Sequence, residues 1–183
     1  MMLKRMMMFL LSVTMLNGVF AQTGTSAADI MLKDACKKAA KENKNVIVIF
    51  HASWCGWCHK MDSSMNDIST KKMFETNYVT IHFTVDEAKD KKQLETPGAD
   101  AIRAKYHGEK VGLPFWLIMD KTGKLLADSR VRKPGESLDM PGENMGCPAA
   151  KDEVENFLKL LKSTSYLSDK QLEVIGERFR KNE

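Results

Sequence analysis

The sequence predicts an α/β domain built on a central mixed β-sheet covered by helices. Helical and strand-like segments alternate along the chain, one β-branched run marks a strand buried on both faces, and the strand series closes in a hairpin. The 183 residues suit one domain or two small ones. Hydrophobic residues at 43% and charged residues at 28% exclude a disordered or collagen-like chain. A net charge of +4 is too weak a bias to argue for nucleic acid. Four cysteines are too few for a disulfide-dense mini-protein, yet two of them stand close together.

The first 21 residues read as a signal peptide. Lys4 and Arg5 precede an apolar run from Met6 to Leu16, and Val19-Phe20-Ala21 supplies small residues on the near side of a cut. The run is too short for a membrane span, which needs roughly 20 residues. An uncleaved anchor is the alternative. No cysteine lies near the cut to carry a lipid, and all four remain in the mature chain. Export implies a compartment where disulfide chemistry is allowed. A bacterial periplasm is expected, with the extracellular space or the endoplasmic reticulum as alternatives. The terminal Arg180-Lys181-Asn182-Glu183 is no retention signal. After cleavage no membrane association is expected.

The mature chain divides into a domain over 22–164 and a helical extension over 165–183. Ser26 with Asp29 three residues on marks a helix start, and Ala-, Lys- and Glu-rich sequence carries it to about Asn43. Asn45 to Ala52 holds Val-Ile-Val-Ile-Phe, the doubly buried strand. A helix is expected from Cys55 to Asn66, a short one from Ser69 to Thr76, and an alternating strand from Tyr78 to Val85. Asp100 to Tyr106 reads as helix and Pro114 to Met119 as strand. A turn over Asp120–Lys124, with Gly123, leads into a returning strand at Leu125–Asp128. Arg130 to Ala150 reads as a long loop holding Pro134, Pro141, Pro148, Gly135, Gly142 and Gly146. Val154, Phe157, Leu158 and Leu161 give the spacing of an amphipathic helix. Ser168 with Gln171 caps a last helix striped by Leu172, Ile175 and Phe179. That stripe can pack on the domain or pair two copies, and packing is the expectation.

The chemistry is expected in Trp54-Cys55-Gly56-Trp57-Cys58-His59, where a buried strand meets a helix. Cys55 would sit at the helix N-terminus, where unpaired backbone N–H groups and the helix dipole favour an anion. A thiolate there should titrate below the ordinary thiol value. Cys58, one turn deeper, is placed to attack a mixed disulfide formed at Cys55 and release the product.

These residues resemble the thioredoxin superfamily. Phe50 and Ala52 stand ahead of Trp54-Cys55, Val85-Asp86 ends the next strand, and Gly112-Leu113-Pro114 opens a later one, all in the family's order. The landmarks cover roughly Lys44 to Leu126. The nearest flavour is the exported thioredoxin-like proteins that begin with a helix and end in a helical extension. The resemblance implies a thioredoxin-like fold and thiol–disulfide exchange with protein substrates. It implies Cys55 as nucleophile, Cys58 as resolving thiol, and a substrate groove formed by Trp54, Gly56, Trp57, Leu113 and Pro114. Pro114 would be cis and would line the sulfurs, and Leu113 would offer backbone hydrogen bonds to a bound peptide.

The chain also departs from thioredoxin. The buried acid six residues before the first Cys is Ile49, and the lysine facing it on the neighbouring strand is matched by His82. Some relatives use an acid one turn after the second Cys, and Asp62 holds that position on the Cys58 face of the helix. Asp62, with His82, is the candidate proton acceptor for Cys58; a solvated helix charge is the alternative. His59 and Trp57 are expected at the surface. His51 can tune the thiolate or pack against the sheet.

No metal, nucleotide, flavin or other cofactor is expected, so electrons pass between cysteines. Cysteine-containing exported proteins and a partner redox protein that resets the pair are the expected partners, and the chain is expected to be a monomer. Two other readings use the same residues. One is a thioredoxin-fold binding module with Cys55 and Cys58 as a static staple, which buried, inaccessible sulfurs would favour. The other follows from Cys55-Gly56-Trp57-Cys58-His59 as the attachment sequence for a c-type haem, although such a site usually sits on a loop in a small helical fold. Cys55, Cys58, His59 and Cys147 make a poor zinc set. Cys36, among alanines, reads as a buried inert thiol, and Cys147 as a loop thiol exposed enough to exchange with the site. Alternatively the two pair as a structural disulfide.

Overall fold

A computed structural model of the chain describes residues 24–133 and 135–183. Residues 1–23, which include the segment 1–21 expected to be a signal peptide, and Pro134 lie outside the described residues. The elements are α1 (Ala27–Glu42), β1 (Asn45–His51), α2 (Gly56–Met65), α3 (Lys71–Asn77) and β2 (Tyr78–Thr84). A 3-10 helix follows at Lys89–Leu94, then α4 (Ala99–Lys105), β3 (Phe115–Met119) and β4 (Leu125–Asp128). Last come β5 (Arg130–Val131), β6 (Glu143–Asn144), α5 (Lys151–Thr164) and α6 (Asp169–Arg180).

The main sheet has the order β2-β1-β3-β4, with β1 parallel to β2 and antiparallel to β3. β1 is therefore a central strand, and a strand covered on both faces needs apolar side chains in both directions. Ile47 and Ile49 face one layer with Trp116 and Ile118 of β3, under α2, α5 and α6. Val46, Val48 and Phe50 face the other with Phe115, Leu117 and Met119, under α1 and α4. The uninterrupted Val/Ile/Phe run is thus accounted for residue by residue.

Capping chemistry sets the helix starts. Ser26 Oγ accepts from the N–H of Asp29 at 3.1 Å, and the Asp29 carboxylate accepts from the N–H of Ser26 in return. Ser168 and Gln171 repeat the arrangement at α6. Asn43 ends α1 in the left-handed conformation, φ 52°. Between β3 and β4 the Asp120 carboxylate accepts from the N–H groups of Thr122 and Lys124, and Gly123 takes φ 86°.

The expected long loop over 130–150 is more ordered than its Pro/Gly content implied. β5 and β6 form an antiparallel ribbon within it, Arg130 opposite Asn144. At its base Asp128 is 1% exposed between Arg130 and Arg132. Leu172, Ile175 and Phe179 of α6 are buried in the core shared with α5, with the Phe157 and Phe179 rings 5.0 Å apart. The end of α6 is tied to α2: Lys60 Nζ donates to the Asn182 carbonyl at 2.6 Å, and Arg178 pairs with Asp67 at 2.7 Å. No helix among the described residues is long and apolar enough to cross a membrane.

Candidate active site

Cys55 is the N-cap of α2, and its Sγ accepts from the N–H of Cys58 at 3.1 Å. The helix begins at Gly56 because Cys55 itself remains extended, φ −81° and ψ 100°. Two intervening residues then bring the Cα atoms of Cys55 and Cys58 to 5.3 Å, and the two sulfurs are joined as a disulfide. In this state Cys55 is 4% exposed and Cys58 1%. Both pack with Ala52 and Leu113 in a small apolar cluster. The Leu113–Pro114 peptide bond is cis. Trp54 and Trp57, 62% and 48% exposed, flank the pair as an apolar rim.

The loop that presents Cys55 is held from the far end of β2. Ser53 Oγ donates to Glu87 Oε2 at 2.7 Å, and the Ser53 N–H donates to Oε1. The Trp54 indole donates to the Asp86 carbonyl at 2.8 Å. Asp86, at φ 54°, is paired with the buried Arg103. Those partners shape the acids' titration. The Ser53 N–H and hydroxyl hold Glu87 below its ordinary value, and the Arg103 guanidinium does the same for Asp86. Sequence reasoning missed Glu87 and Arg103. An acid just past a strand end looks like any solvated charge, and its partner Ser53 is 34 residues away.

Asp62 and His82 meet: His82 Nε2 lies 2.8 Å from Asp62 Oδ1. His82 is the register partner of Ile49, which carries no acid here. The His51 ring lies edge-on to His82 at 5.4 Å and reaches Thr84 Oγ1 at 3.3 Å. Burial first, and the neighbouring His82 second, lower the His51 pKa and favour its neutral form. His59 Nε2 donates to the Ser53 carbonyl at 3.0 Å.

Residues 32–134 match the family of thioredoxin-like domains. The protein belongs to this family. Solved structures of similar fold include a disulphide isomerase from Xylella fastidiosa Temecula1, at 15% identity and TM-score 0.47, with 91% of this chain and 98% of that one aligned. A thioredoxin-fold protein from Helicobacter pylori aligns at 12% identity and TM-score 0.40, over 76% of this chain and 83% of that one. No curated protein matches the sequence.

In this thioredoxin-like protein two expectations are corrected. Cys147 is not an exposed loop thiol: it is 4% exposed, and burial pushes its thiol up to about 12. Nor is it paired with Cys36. Both are free; Cys147 lies in the core layer under α5 and α6, and Cys36 packs on the layer under α1 and α4, across the sheet. The haem reading also fits poorly. Its two sulfurs are bonded to each other, Cys58 is inside a helix, and the His59 ring is committed to Ser53. Among the described residues no cluster of three His, Cys, Asp or Glu side chains is arranged to hold a metal.

Proposed function

We propose that the protein is an exported thiol–disulfide oxidoreductase, acting in the reductase direction on cysteine-containing exported proteins. The observation that carries this is the Cys55–Cys58 disulfide at the N-terminus of α2, with the Cys55 sulfur as the helix cap. Export and a periplasmic setting rest on Lys4, Arg5 and the apolar run to Leu16, followed by Val19-Phe20-Ala21. The monomer reading is supported by the α6 stripe, which is buried within the chain.

In the reduced protein the Cys55 thiolate is favoured by the helix N-terminus and attacks one sulfur of a substrate disulfide. A Cys55–substrate bond forms, and the other substrate sulfur leaves as a thiolate and takes up a proton. Cys58 then loses its proton and attacks the Cys55 sulfur, which closes the Cys55–Cys58 disulfide and frees the second substrate thiol. Two electrons have passed to the substrate. A partner dithiol protein must return them, with no organic cofactor or metal. Asp62, one turn after Cys58 and bonded to His82, is the proposed acceptor of the Cys58 proton. Trp54, Gly56, Trp57, Leu113 and Pro114 form the proposed substrate surface.

The burial of both sulfurs favours a second reading, a binding module with a static staple. The equilibrium reduction potential of the mature protein, titrated against dithiothreitol or glutathione with a Cys58→Ser control, separates the two. A value near or below about −230 mV supports the reductase; one between about −120 and −180 mV reverses the direction to oxidant or isomerase. A pair that never equilibrates with small thiols refutes the enzyme and leaves the module.

A further inference from the structure

The strand of chain that braces the Leu113–Pro114 turn comes from beyond the family match, which ends at residue 134. After the β5–β6 ribbon the backbone returns through Asn144 and Gly146 to lie against the turn. Asn144 Nδ2 donates to the carbonyl of Gly112 at 2.7 Å and to that of Pro114 at 3.2 Å, one on either side of Leu113. The amide is fixed in turn. Its Oδ1 accepts from the N–H of Gly146 at 3.3 Å, and the Gly146 carbonyl accepts from the Trp116 indole at 2.8 Å. Strand pairing sets Asn144 opposite Arg130, whose side chain is locked to Asp128.

Between the two clamped carbonyls, the N–H and carbonyl of Leu113 are engaged by no other described residue. The Leu113 side chain packs on Ala52, Cys55 and Cys58, so its backbone runs beside the sulfurs. A cavity of about 270 Å³ opens next to it, between Trp57, Leu113 and the Asn144–Cys147 segment.

We propose that Asn144 is a positioning residue for exchange with polypeptide disulfides. It holds the Gly112 and Pro114 carbonyls so that the Leu113 N–H and carbonyl remain aimed at an extended substrate segment, and the cavity beside Trp57 takes one side chain of that segment. Main-chain pairing of this kind needs a polypeptide on both sides of the reacting sulfur. A small disulfide has no chain to offer and draws nothing from the clamp. The inference rests on the oxidoreductase reading above and adds selectivity to it.

The test compares the reduced wild-type protein with Asn144→Ala and Asn144→Asp, the second keeping the shape and removing the donor. Rates are measured with insulin as the polypeptide disulfide and hydroxyethyl disulfide as the small one. The insulin-to-hydroxyethyl-disulfide ratio should fall about five- to tenfold in both variants, the loss expected from one hydrogen-bonding group. The fall should lie in the half-saturating insulin concentration rather than the limiting rate, with the Cys55–Cys58 potential unmoved. Circular dichroism checks folding, and Asn144→Asp carries the test where truncation unfolds the ribbon. A ratio within twofold of wild type, or both rates falling in step, overturns the inference while the oxidoreductase stands. A wild-type protein inert towards both disulfides refutes the oxidoreductase reading and this inference with it.

Discussion

Replacing Asp128 by Ala is expected to be the most damaging single change in the 128–147 segment. The Asp128 carboxylate accepts five hydrogen bonds: from the N–H, Nε and Nη2 of Arg130 and from Nη1 and Nη2 of Arg132. The three side chains are 0%, 3% and 7% exposed. Removing one partner of such a buried pair costs roughly 3–5 kcal/mol, because the remaining charge stays out of water without compensation. Both guanidiniums keep the Leu138 carbonyl, and Arg132 keeps that of Met140, so the lower end applies, about 3 kcal/mol. For a chain of this size that corresponds to a melting temperature lower by about 6–12 °C. Urea unfolding followed by tryptophan fluorescence should show the midpoint falling at an unchanged slope.

The pH dependence carries a sign. Burial pushes the Asp128 carboxyl up, but the hydrogen bonds from Arg132 and Arg130 outweigh it and hold it below the ordinary 3.8. The ionised form is therefore the stabilising one. Its contribution is complete above pH 3.8 and is lost as the pH falls through and below that value. The gap between wild type and Asp128→Asn should narrow in acid. A destabilisation under about 1 kcal/mol, or a gap that widens in acid, would refute the reasoning.

Two further outcomes are expected. Asp62→Asn should slow the closing of Cys58 onto the mixed disulfide and change the pH profile of that step; stopped-flow exchange rates matching wild type at every pH would reduce Asp62 to a solvated partner of His82. Cys147 should resist iodoacetamide at pH 8 in the native reduced protein and react once the protein is unfolded in urea, because burial holds its thiol near 12. Mass mapping that finds native Cys147 labelled as fast as Cys55 would contradict its burial under α5 and α6.

Much of the frame was readable from short stretches of sequence. A Val/Ile/Phe run reports a central strand, Ser26 with Asp29 reports a helix start, and two cysteines at the end of that strand report a capped helix carrying both sulfurs. Each depends on backbone conformation and hydrogen bonding among residues a turn or two apart, so the information is local. The 130–150 segment shows where this stops. Three charged residues at alternate positions near prolines and glycines look solvated, yet Asp128, Arg130 and Arg132 are buried around one another. Cys147 looks like an accessible loop thiol until α6 covers it, with Asn182 Nδ2 3.4 Å from its sulfur across 35 residues. Glu87 acquires its part only from Ser53, and Asn144 only from the carbonyls of Gly112 and Pro114. The sequence by itself therefore determined the order of the α-helices and of the four main-sheet strands, the covered strand and the cysteine pair. Tertiary structure alone decided which charges and thiols are desolvated and what braces the turn beside the sulfurs. Burial and hydrogen-bond partnership are set by neighbours distant along the chain, and no local pattern encodes them.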